Sequence, residues 1–149
     1  MKKVSILFFF LVCSASVWSQ HLEFQGFPME GNITDFTASI RARYPLQKRV
    51  GGDRYYIYKG PVYGHNCYLK AEYSRKSKTV YRITVTPQHI DQNAMLDSLK
   101  FHYGEPEEVK GGYAWARPEG YIYFSIPEGY DPVLTYLDKE GVARFKEEK

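Results

Sequence analysis

An α+β fold is what this sequence predicts, an antiparallel sheet with two helices packed on one face. Three observations predict it. Short Tyr-, Val-, Ile- and Thr-rich segments alternate apolar and polar residues, as one-face-buried antiparallel strands do. Two other segments carry apolar residues at helical spacing. Gly, Pro and Asn stand between them as turn punctuation. The length of 149 residues fits one domain.

The chain opens with Lys2 and Lys3, an apolar run from Ile6 to Val12, and small or polar residues from Cys13 to Gln20. This reads as an export signal peptide over residues 1–19, cleaved before Gln20. The run is shorter than the ~20 apolar residues of a membrane span, so no transmembrane helix is expected in the mature chain. Lipidation at Cys13 would want a small residue before it, and Val12 stands there instead. A periplasmic or extracellular location follows. The remainder, 20–149, is expected to form the single domain.

Residues 21–26 alternate as a short strand, and Phe27 to Gly31 form a turn. Asn32 or Thr34 caps a helix whose stripe is Phe36, Ile40 and Tyr44, stopped by Pro45. Strands follow at 54–60, 66–74 and 79–86, joined at Gly60-Pro61 and at the Arg75–Lys78 tip. In the second of these, Cys67, Leu69, Ala71 and Tyr73 oppose Asn66, Tyr68, Lys70 and Glu72. A second helix runs from Asp91 to Tyr103 with Met95, Leu96, Leu99 and Tyr103 as its stripe. Gly104 suits the position after it, and Pro106 prevents continuation. Strands are expected at 112–117, 121–126, 132–137 and 142–146. The strand–helix–strands plan occurs twice, which suggests an αβββ-type repeat.

The matching pieces of the opening are a leader ending near Gln20, Phe24-x-Gly26-x-Pro28-x-x-Gly31 and a helix beginning near Phe36. With Leu99-x-x-x-Tyr103-Gly104-x-Pro106 they resemble a set of small exported proteins from gut and oral anaerobes, mostly uncharacterised. The coarse repetition also looks like that of beta-lactamase inhibitory proteins and the small outer-membrane assembly lipoprotein family. The inhibitor-like plan would imply a binding sheet face and no active site. It transfers no functional residue.

Chemistry is sparse. There is no G-x-S-x-G, S-x-x-K or H-E-x-x-H, and Gly51-Gly52 and Gly111-Gly112 precede strands, away from the helix start that a phosphate loop needs. His65 and Cys67 point to one side of a strand and could form a pair. His89 and His102 sit at no diagnostic spacing from them. Glu105, Glu107 and Glu108 cluster after the second helix, as paired acids of a glycan hydrolase could. A small cell-wall hydrolase using either group is therefore the alternative to a binding protein. Asp97-Ser98-Leu99 and Asn32-Ile33-Thr34 match short glycosylation patterns. No metal or cofactor is implied.

The mature chain would carry 18 basic and 17 acidic side chains, too even to demand nucleic acid, and Cys67 as its sole thiol. Charge is nevertheless uneven: 41–82 hold eleven basic residues, among them Arg75, Lys76 and Lys78, against Asp53 and Glu72. Tyr113 and Trp115 are expected outward beside Tyr121 and Tyr123, making a ring platform, with Ile122, Phe124 and Ile126 inward. These features point to a non-catalytic binding module for an envelope protein, a glycan or another anionic polymer.

Overall fold

The computed structural model describes residues 21–62 and 64–149. The leader, Cys13 and the Gln20 cleavage position lie outside the described residues. Among those described, no helix is long and apolar enough to cross a membrane.

The chain folds as α+β. A tiny hairpin, β1 (Glu23–Phe24) and β2 (Phe27–Pro28), precedes α1 (Ile33–Arg43). Four strands follow: β3 (Gln47–Gly51), β4 (Tyr55–Val62), β5 (His65–Tyr73) and β6 (Val80–Pro87). Helix α2 (Gln92–Tyr103) leads into β7 (Glu107–Val109), β8 (Gly112–Arg117), β9 (Gly120–Ser125) and β10 (Val133–Asp138). Helix α3 (Lys139–Glu147) ends the chain. The large sheet is ordered β3-β4-β5-β6-β10-β9-β8-β7 with every neighbouring pair antiparallel. Each half is thus a helix followed by a four-stranded meander, and the halves join through their last strands.

Against the expected strands, the first half gains β3, and the second gains β7 while 142–146 drops out. Both additions, β3 and β7, occupy the same place: the edge strand directly after a helix. Every residue in them is exposed, so neither shows the alternation that marks a half-buried strand.

Both main helices start on side chains that satisfy their free amides. Asn32 Oδ1 accepts from Thr34 N at 2.9 Å and Asp35 N at 3.0 Å. Asp91 Oδ1 does the same for Asn93 and Ala94 at 2.8 and 3.2 Å. Phe36 and Ile40 of α1, and Met95 and Leu99 of α2, are buried against the sheet. Gly104 closes α2 at φ 84°, a conformation that costs a side chain and suits glycine. The inward row of the sheet reads Tyr56, Ala71, Ile83, Tyr136, Ile122 and Trp115 across six strands. Tyr136 is fully buried, meets Phe24 edge-on at 5.1 Å and shares a 2.9 Å hydroxyl hydrogen bond with Tyr103.

Three boundaries depart from expectation. Phe27–Pro28, expected in a turn, is the second strand of the first hairpin, which turns at Gln25-Gly26. Gly60-Pro61 lies inside β4, paired with Cys67 and Asn66, and makes no turn. A side chain at 60 would come within 2.8 Å of Pro45 O, because the α1–β3 connection passes directly over it. Residues 142–146, read as a strand, belong to α3. Val142 and Phe145 fit helical spacing equally well, and Asp138 caps the helix. A Cβ at Gly141 would lie 2.5 Å from Val80 O, so α3 sits close on β6 and stacks Phe145 on Tyr81 at 4.4 Å.

Asp138 is the most constrained polar group. Fully buried, it accepts from Leu22 N at 2.7 Å, Gly141 N at 2.7 Å and His21 Nδ1 at 3.1 Å. One carboxylate therefore ties the N-terminal segment, the end of β10 and the start of α3. Asp138→Ala strands two buried amides and is expected to cost about 3 kcal/mol in urea unfolding, since each unmet buried amide costs about 1–3 kcal/mol. A loss below about 1 kcal/mol would show the three segments to be held by packing alone.

The last helix is tied at its other end. Glu148 accepts from Lys76 N at 2.9 Å and Ser77 N at 3.1 Å on the β5–β6 tip. The Ser77 hydroxyl foremost holds its carboxyl below the ordinary 4.5; desolvation opposes it, and the two amides and the Ser74 hydroxyl add to the lowering. A folded-state pKa below the unfolded one means the clamp is complete above pH 4.5 and lost as pH falls through the lower folded value. Amide shifts of Lys76 and Ser77 followed by NMR are expected to move in that acid window, and to be flat in Glu148→Gln.

Candidate binding face

The sheet has two unlike faces, and register decides which residue joins which. One face is covered by α1 and α2. On the other, a row crosses the whole sheet: Val50, Ile57, Lys70, Thr84, Thr135, Tyr123, Ala114 and Glu107. Tyr121 and Tyr123 stand on this outer face with rings 6.0 Å apart and 25° from parallel. Ala116 and Ala114 pair with them across β8 and leave room for the rings. Tyr121 is 46% exposed and Tyr123 half-buried.

The expected four-ring platform is corrected to a pair. Trp115 pairs with Ile122 and Tyr113 with Phe124, so both point to the helix side. Trp115 is 4% exposed and its indole N–H donates to Gly104 O at 2.8 Å. Tyr113 is half-buried against the core. The segment Gly-Tyr-Ala-Trp-Ala-Arg alternates large rings with alanines, both of which tolerate burial. Its pattern therefore leaves the choice of face open, and a one-residue change of parity inverts it.

The other half of the outer face was not singled out from the sequence. Lys59 Nζ lies 5.2 Å from the Tyr68 ring centre, and Lys70 Nζ lies 4.9 Å from that of Tyr55. Glu72 pairs with Lys70 at 3.5 Å and with Arg82 at 3.4 Å. The alternation of β5 already set Tyr68 and Lys70 opposite Cys67. What it lacked was the knowledge that α1 and α2 both pack on the Cys67 side.

The basic residues of 41–82 do not make one face. Arg41 and Arg43 belong to α1, Lys48 and Arg49 to the β3 edge, and Lys59, Lys70 and Arg82 to the outer face. Arg75, Lys76 and Lys78 are exposed on the β5–β6 tip, where Lys78 adopts φ 60° and its ammonium lies over Tyr73. These three sit beside the last turn of α3, and Glu148 is bound there.

The chemical candidates are not assembled. Cys67 is buried, with its thiol donating to Val62 O at 3.4 Å and His65 O at 3.2 Å. Burial pushes this thiol up to about 11, outweighing the Val62 hydrogen bond, so it is protonated near neutral pH. His65 is exposed on the rim of a 160 Å³ cavity that Asp91 and Ser98 also line. No hydrogen bond among the described residues joins His65 to either, and Asp91 is engaged in capping α2. Glu105 pairs with Lys100, while Glu107 and Glu108 lie on the exposed β7 edge. No group of three or more His, Cys, Asp or Glu among the described residues could hold a metal. Asn32 is a helix cap, and Ser98 lies inside α2.

No protein-family model, curated protein or solved structure matches this chain. Native protein is expected to leave Cys67 unlabelled by an alkylating reagent at about pH 8, with full labelling after denaturation. Rapid native labelling, read by intact mass, would reveal a thiolate and reopen the nucleophile.

Proposed function

We propose that this chain is an exported, non-catalytic binding module that grips an acidic envelope glycan across the outer face of its sheet. The observation that carries this reading is the stacked, partly exposed Tyr121–Tyr123 pair on the face turned away from α1 and α2. Sugar rings pack on such tyrosines because apolar area and a hydroxyl tip are offered together. The cations Lys59 and Lys70 stand three to four strands away on the same face, about 14–19 Å at ~4.8 Å per strand. A single small ligand would not touch both groups, whereas a linear polymer laid along the Thr84–Thr135 row would. Export is supported by the Lys2–Lys3 and Ile6–Val12 leader.

Titration calorimetry with an acidic polysaccharide and a neutral one tests it. Tyr121→Ala with Tyr123→Ala is expected to weaken acidic-polymer binding on the order of tenfold or more, with melting unchanged. Lys59→Ala with Lys70→Ala is expected to flatten the salt dependence. Equal affinity for both polymers, or binding indifferent to the tyrosines, would sink the proposal.

A further inference from the structure

We propose that copies of this chain associate head to tail, the β3 edge of one copy pairing with the β7 edge of the next so that the sheet continues between them. The interface rests on no ligand of the outer face and stands apart from the glycan reading.

Both ends of the eight-stranded sheet are open. Each terminal strand presents one side of its backbone unpaired, and every residue of β3 and β7 is exposed. Charges on edge strands ordinarily discourage such pairing, because two like-charged edges repel. Here the two edges carry opposite signs: Lys48 and Arg49 on β3, Glu107 and Glu108 on β7. Among the described residues, none of these four forms an ion pair within its own copy. Contacts of β3 with β3, or β7 with β7, are therefore opposed, while β3 with β7 is favoured by the same charges.

The faces also agree. Lys48 pairs with Tyr58 and Glu108 with Tyr113, so both occupy helix-side positions. Gln47 pairs with Lys59 and Val109 with Gly112, so both occupy outer positions. An antiparallel register setting Lys48 opposite Glu108 places Gln47 beside Val109 and keeps the two sheets in phase. Each edge additionally exposes one valine on the outer face, Val50 at 45% and Val109 at 38%, which added strands would cover. Because unlike surfaces meet, the contact does not close on itself as a two-fold dimer would. It generates a ladder of lengths.

Sedimentation velocity across a concentration series tests this. At an ionic strength of about 0.01 M, where the Debye length is about 30 Å, the protein is expected to grow with concentration through successive multiples of the monomer. At about 1 M salt it is expected to be smaller at every concentration. Lys48→Glu with Arg49→Glu makes both edges acidic, and Glu107→Lys with Glu108→Lys makes both basic. Each double variant is expected to weaken self-association on the order of tenfold. Mixing the two restores one native edge pair and is expected to recover association, an outcome that misfolded variants cannot produce. A monomer at all concentrations in low salt overturns the proposal, as does association indifferent to these reversals.

Discussion

The buried carboxylate of Asp138 sets the conditions for the rest of the molecule. A polar group without solvent is tolerated only when its partners are fixed, and three are supplied: an imidazole and two backbone amides. Because those partners come from opposite ends of the described chain, the geometry of one side chain dictates how both ends close on the sheet. Leu22 is delivered to the core beside Phe24, and α3 begins where Gly141 can press on β6. Every buried side-chain nitrogen and oxygen among the described residues has a hydrogen-bond partner, in keeping with a core that admits little polar slack.

From this closure follows the contrast between the two faces of the sheet. The helix side carries the large apolar residues. Cys67 is sealed among them as a neutral thiol, and the indole of Trp115 is spent on Gly104. The outer side keeps smaller and polar residues, Thr84 and Thr135 at its centre, with rings and cations toward either flank. A surface of this kind offers stacking and charge. Recognition is within the chemistry of such a surface.

Much of this was legible in the residues, and the illegible parts share a cause. Helices α1 and α2 announced themselves through Asn32, Asp91, Gly104 and their stripes, because caps and periodicity are local. The central strands were legible through alternation, which is the imprint of one buried face. Strands β3 and β7 left no such imprint, since they are exposed throughout and owe their conformation to the ladder with β4 and β8. Helix α3 was concealed by five residues that suit either period, and its cap acts through contacts with His21 and Leu22 far away in sequence. The site suffered similarly. Tyr121 and Tyr123 alternate with Ile122 and Phe124, which settles their direction, whereas Trp115 alternates with alanine, which settles nothing.

The junction of the two meanders has a bearing on how the chain reaches this state. Within each half, every strand pairs with its immediate successor, so those ladders close over short loops and can form early. The β6–β10 pairing instead joins Thr84 to Thr135 across the whole of the second helix and three strands. That seam is the strand pairing of longest range in the large sheet. Until it closes, each half displays a raw central edge, Ile83 and Val85 on one and Leu134 and Tyr136 on the other, all of which are buried in the finished protein. An unclosed seam would leave both edges open to pairing with another chain.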